Sequence, residues 1–445
     1  MNAGSPTDRQ PAAGIGAPVA QPWPAVATAG GAAAAGSGSV RIHAFDWLRA
    51  AAVIGIVIYH SLLPFGLRDW HVNNGERSEL LTAGLLVFET FGLGLLFLLA
   101  GASARFALRT RSNRQFLSER TARLLVPFAF WTLLLTPLTM YVTAVQDGGA
   151  PDSFLAYLAS WPAGAIGWIV DTGFTPRLFG IGFHLWFLGF LFALSVLALP
   201  VFRWLSGEGG RSFEDALGKA ARWPGSSLLF FLPTMLPPLF LLPPAPDQFE
   251  WWQFGWYGAY FLTGYVLFLD EKWSAAIRRD VAPAIVVAIV ASAGLIAADF
   301  TGWVAAHDDA PYVYDVTLVL MIFLYALAGW AWTIAVLGGG LRARRLQRPL
   351  PERVGEAVLP IYILHQPIVV AVSFVVVGLS VGLAVKAALI VVVGLAATVA
   401  VVELALRVPV IRTLLGARRP GPQVGAPAGG VVRSEEATVA PTRSP

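Results

Sequence analysis

DWLRAAAVIGIVIYHSLLPF, residues 46–65, is long and apolar enough to cross a bilayer, yet it carries Asp46 and Arg49 at one end and His60 in its far half. Ionisable groups cost free energy in hydrocarbon, so a span that keeps them is read as functional before it is read as structural. The rest of the chain fixes the class to which this span belongs. Of 445 residues, 56% are hydrophobic and only 13% charged. A soluble domain carries about twice that share of charge. Apolar runs of roughly 20 residues recur along the chain, each enough for one crossing. The expected fold is an all-α polytopic membrane protein.

Ten such runs are read, at about 45–65, 80–103, 122–144, 179–203, 226–243, 252–269, 281–303, 313–337, 356–378 and 382–406. The fifth is short and proline-rich. The stretch 153–174 is broken by Trp161-Pro162, by glycines and by Asp171, and reads as an interfacial helix rather than an eleventh span. Loops 104–121 and 338–355 are crowded with arginine, whereas 145–178, 244–251 and 304–312 hold mainly Asp and Glu. Arginine marks the cytoplasmic side, which places both termini there. The expected localisation is the cytoplasmic (inner) membrane of a bacterial-type cell. Residues 1–40 and 416–445, rich in Ala, Gly and Pro, read as disordered cytoplasmic tails around a membrane domain over 41–415. The first 40 residues lack a basic n-region and a continuous apolar h-region, so a cleaved signal peptide is not expected.

Several chemistries are excluded. The chain has no cysteine, hence no disulfide framework and no thiolate metal site. The net charge of +4 comes mostly from loop arginines, which read as topology signals and not as a nucleic-acid surface. Neither a GxxxxGK[ST] phosphate loop nor a GxSxG nucleophile elbow occurs. His60, His184 and His365 lie in apolar context without the i, i+4 spacing of a helical metal motif, and no metal is expected. His43, His71 and His307 fall outside the spans and read as surface residues.

Arg49 and His60 are eleven residues apart, about 16 Å along one helix face. Glu89, in LLVFETFGLG (85–94), reaches a similar depth in the antiparallel second span. A carboxylate that fixes an imidazole tautomer prepares a general base, so Glu89 is placed beside His60. In SERTARLLVPF (118–128), Arg120 and Arg123 share a face at the cytoplasmic mouth. Two readings stand for these arginines: lipid anchoring, or a site for a phosphorylated ligand. His184, Trp186, Tyr362 and His365 stand equally as acceptor contacts or as packing residues, and Trp70, Trp161, Trp168, Trp251, Trp252 and Trp256 as an aromatic belt or as stacking platforms.

In order, Arg49-x10-His60, LLFLLAGAS (95–103), Arg120-x-x-Arg123 before Leu-Leu-Val-Pro, and IYILHQPIV (361–369) resemble the acyltransferase-3 family of membrane proteins. HLWFLGFLF (184–192) is similar to its glucan biosynthesis protein C branch. The resemblance covers about 41–406. It implies an O-acyltransferase taking acetyl or succinyl from cytoplasmic acyl-CoA, a donor substrate and not a bound cofactor, to a hydroxyl of a glycan or other acceptor at the outer face. By the same resemblance His60 is catalytic, and Arg49, Arg120 and Arg123 serve the donor. The rival from another class is a secondary transporter or flippase for a small anion or a lipid-linked sugar, whose path the buried Arg, His and Glu would line. The oligomeric state is not legible in the sequence.

Overall fold

The computed structural model describes residues 42–150, 153–242, 250–301 and 314–417. The described residues all belong to one unit. The expected tails are therefore outside the described residues, except Gly416 and Ala417. The described residues are helical and contain no strand.

Among the described residues, eight helical stretches are long and apolar enough to cross a membrane. They contain α1 (His43–Leu62), α2 (Glu79–Leu108), α3 (Asn113–Arg120) running into α4 (Val126–Gln146), and the segment Pro176–Leu185 running into α6 (Trp186–Leu197). The others are α12 (Val281–Phe300), α13 (Val316–Arg342), α14 (Glu352–Val376) and α15 (Leu383–Ala405). Between these lie α5 (Phe154–Thr172), α7 (Leu199–Leu205), α8 (Arg211–Ala220), α9 (Phe231–Leu241), α10 (Trp251–Leu267) and α11 (Lys272–Arg279), and the short α16 (Pro409–Leu414) closes the described chain.

The fifth and sixth expected runs are helical but shorter than the other eight. The fifth opens as a 3-10 turn, Ser226–Phe230, and its helix α9 carries Pro237 and Pro238 inside. Proline cannot donate to the helix ladder, which limits how far such a helix extends. α10 has 17 residues, about 26 Å at 1.5 Å per residue. α5 is a continuous helix through Pro162 but falls outside the eight. Only Ala165 and Thr172 of it are buried.

α1 lies at the middle, packed on α2, α14 and α15, while α2 packs on α10 and α13. Glycines set the closeness of α2 to α10. A β-carbon on Gly101 would lie 1.9 Å from the Phe261 carbonyl oxygen, and one on Gly264 would lie 2.0 Å from that of Leu98. The two backbones thus touch directly, as small residues permit between membrane helices. Gly101 of LLFLLAGAS is a packing residue. The consequence is a rigid α2, against which α1 presents its polar stripe.

Candidate active site

Three backbone irregularities build the site. α1 ends at Leu62 in a 3-10 turn, Leu63–Phe65. The chain then folds back on itself, with Asn74 N–H donating to the Pro64 carbonyl at 2.9 Å and Ser78 N–H to that of Phe65 at 2.8 Å. This lays Trp70 over His60, the rings 6.0 Å apart and stacked. In α14, Pro367 cannot supply the N–H that would bond the carbonyl of Ile363. His184 Nε2 donates to that carbonyl instead, at 2.9 Å. His184 can reach it because its segment kinks at Phe183, whose φ is 45°. That backbone is strained for a residue with a β-carbon.

His60, His365, His184 and His71 are thereby gathered from α1, α14, the kinked segment and the loop after α1. His60 Nδ1 lies 3.0 Å from His365 Nε2, and His365 Nδ1 lies 2.6 Å from the Tyr362 carbonyl oxygen. The ring centroids of His184 and His365 are 5.3 Å apart. Hydrogen-bond partners fix the tautomers. A carbonyl only accepts, so His365 carries its proton on Nδ1 and offers the Nε2 lone pair. His60 must then carry its proton on Nδ1, which leaves Nε2 as its basic nitrogen.

His71 completes the cluster. The Thr143 hydroxyl donates to the Thr139 carbonyl at 3.1 Å, so it accepts from His71 Nδ1 at 2.8 Å. His71 Nε2 accepts in turn from the Gln366 amide at 3.0 Å. Burial pushes the His71 imidazole down to about 4, which keeps it neutral near pH 7 and able to accept. The surface reading of His71 is corrected: the folded-back loop carries it to α14. Nothing in its spacing marked it; Gln366, missed as well, stood next to His365.

Glu89 does not pair with His60. Its carboxylate lies 3.7 Å from Arg68, and Arg68 lies 3.6 Å from Asp299. The Tyr59 ring sits beside that of His60, centroids 5.3 Å apart. His365 takes the place the sequence reading assigned to Glu89, because Arg68 reaches Glu89 from outside the span. Tyr362 donates its hydroxyl to the His184 carbonyl, which ties α14 to the kink. Trp186 continues an aromatic wall, 5.1 Å from Tyr257 and 4.9 Å from Phe190 between centroids.

The other end of α1 carries the arginines. Arg49 bonds Asp46 and the Leu99 carbonyl, both at 3.0 Å, and also Ser103. Arg120 lies over the Phe116 ring, 5.0 Å from its centroid, and feels the charges of both Arg123 and Arg49. Between Arg120 and α4 the chain makes one π-helical turn, Thr121–Leu125, in which Val126 N–H bonds Thr121 five residues back. Pro127 explains it, since it cannot supply the α-helical bond to the Arg123 carbonyl. Arg123 Nε donates to the Gly416 carbonyl at 3.3 Å. Among the described residues no group of three or more His, Asp or Glu is arranged to hold a metal ion.

Fold and site define a multi-pass membrane protein with an imidazole cluster near one end of its central helix and a cluster of arginines at the other. The chain belongs to the acyltransferase-3 family: the family model described as an acyltransferase domain matches residues 42–406. That membership makes it a membrane acyltransferase. No curated protein and no solved structure matches the chain.

Proposed function

We propose that the protein is an O-acyltransferase that moves an acetyl or succinyl group from acyl-CoA to a hydroxyl of a glycan or other acceptor, with His60 as general base. The observation that carries this reading is the tautomer chain from the Tyr362 carbonyl through His365 to His60, which presents Nε2 as a base. In this reading Arg49, Arg120 and Arg123 hold the phosphates of CoA at the cytoplasmic face, where guanidinium forks suit phosphate oxygens. α9 and α10 also cross, making ten spans with both termini cytoplasmic, and the membrane is the cytoplasmic one of a bacterial-type cell. The loop arginines support that orientation. The resemblance of residues 184–192 to the glucan biosynthesis protein C branch favours a glucan among acceptors.

The acceptor oxygen attacks the thioester carbonyl while His60 Nε2 takes its proton. The new C–O bond forms, the tetrahedral centre collapses, and the C–S bond breaks. The imidazolium returns the proton to the departing thiolate, so CoA leaves as a thiol and His60 is again neutral. During the step the positive charge on His60 strengthens its Nδ1–H bond to His365, which is stabilisation gained on the way to the transition state. The same lone pair would serve an acyl-imidazole route; direct transfer needs no second acylation. The test is CoA release from acetyl-CoA and succinyl-CoA by the protein in lipid with glycans present, wild type against His60→Ala. Loss of acceptor-dependent release in the variant supports the reading, and equal release overturns it.

A further inference from the structure

α16, Pro409–Leu414, packs on α4 although it has only six residues, too few to persist as a helix on its own. A glycine cap closes its end. Ala417 N–H bonds the Arg412 carbonyl at 3.2 Å and Gly416 N–H bonds that of Thr413 at 3.0 Å, the paired bonds of a left-handed helix terminus. Gly416 accordingly has φ 65°, a conformation that glycine adopts without strain.

This cap is seated at the arginine end of the molecule. The Trp131 indole N–H donates to the Leu414 carbonyl at 3.0 Å, and Arg123 Nε donates to the Gly416 carbonyl at 3.3 Å. Leu415, between those two carbonyls, is fully buried. Arg412 pairs with Glu356 of α14 at 3.1 Å. Gly416 itself is wedged: a β-carbon there would lie 3.0 Å from the Arg123 carbonyl oxygen, 3.1 Å from Leu359 and 3.2 Å from Pro127. Pro127, which breaks the α-helical ladder at Arg123, therefore also walls the seat of the cap. Gly416 abuts the backbone of Arg123 and bonds its side chain. The last carbonyls of a helix carry partial negative charge, which favours a guanidinium beside them.

We propose that α16 and its Gly416 cap are a positioning element of the donor site, in which the Gly416 carbonyl holds Arg123 Nε and so sets the plane in which Arg123 meets a phosphate of acyl-CoA. This rests on the reading above that Arg123 serves the donor. A guanidinium is planar, so a bond at Nε restrains the whole fork and not one nitrogen alone. An arginine ordered in advance spares the binding step the side-chain entropy it would otherwise lose. The same cap is tied to α4 through Trp131 and to α14 through Glu356, and α14 carries His365. Gly416 touches no reacting atom; it acts through Arg123.

The test is donor binding without acceptor. Wild type, Gly416→Val, Arg123→Ala and the double variant are placed in phosphatidylcholine nanodiscs and titrated calorimetrically with acetyl-CoA, with thermal unfolding measured in parallel. A β-branched residue resists a positive φ, so the cap should open and its carbonyl leave Arg123. Gly416→Val is expected to weaken acetyl-CoA binding by about tenfold, the scale of one charge-assisted bond. In the Arg123→Ala background the same substitution should change binding by less than about twofold, because the side chain it positions is gone. If Gly416→Val does not fold, Trp131→Phe takes its place in the cycle, removing the bond to Leu414 while keeping an aromatic ring. Unchanged binding in the cap variant overturns the proposal. So does equal weakening in both backgrounds, which is what a purely structural residue would give. Failure of wild type to bind acetyl-CoA overturns the donor reading and this role with it. Binding without CoA release overturns the transfer step alone and leaves the cap's role standing.

Discussion

His365→Phe removes the acceptor that holds the His60 Nδ1 proton at 3.0 Å and keeps a ring of similar bulk in a fully buried position. While His60 is neutral, that bond is worth about 0.5–1.5 kcal/mol; once His60 is an imidazolium the same bond is worth about 1.5–3 kcal/mol. Because the bond is lost in both states, the barrier in kcat rises by the difference, about 1–1.5 kcal/mol, or roughly 5- to 13-fold. KM for acyl-CoA should barely move, because Arg49, at the end of α1 where the donor would be held, lies about 16 Å from His60 along the helix. His365→Gln places an amide oxygen near the position of Nε2, and should recover a large part of the lost rate. The assay is steady-state CoA release with saturating acceptor for wild type and both variants, with thermal unfolding measured in parallel. Wild-type kcat in His365→Phe would refute the relay. So would equal loss in the Phe and Gln variants accompanied by equal loss of thermal stability, the pattern of a packing residue.

Two further outcomes follow from the structure. Gly101→Ala would put a β-carbon 1.9 Å from the Phe261 carbonyl oxygen, so α2 and α10 must separate, and thermal unfolding should occur several degrees lower than in wild type. His71 has a folded value of about 4 against 6.5 when unfolded, so the unfolded chain binds more protons between these values. The His71 contribution is whole above pH 6.5 and is lost as pH falls toward 4; the drop in melting temperature over that range should be smaller in His71→Gln.

Much of this architecture is legible in the sequence because burial in a bilayer leaves a strong mark. The long apolar runs became the eight long helices, and the other two form shorter helices for visible reasons: Pro237 and Pro238 lie inside one, and the other has only 17 residues. The site was legible only in part. His60 and His365 stood out as imidazoles in apolar runs, but periodicity within a helix cannot say which of two deep partners, Glu89 or His365, the imidazole meets. That depended on Arg68, which reaches Glu89 from a loop. His71 was invisible because a 13-residue connection, 66–78, carries it back over the helix ends. The bond from His184 to Ile363 had a sequence signal in Pro367, four residues on from the carbonyl it frees, which points to α14 but not to the segment that would cap it.

The most direct test of the central claim is acceptor-dependent CoA release in lipid by wild type and His60→Ala, with acetyl-CoA and succinyl-CoA as donors and glucan among the acceptors. The account predicts release by wild type that rises with acceptor and falls to the no-enzyme rate in His60→Ala. Release by His60→Ala equal to wild type would contradict it.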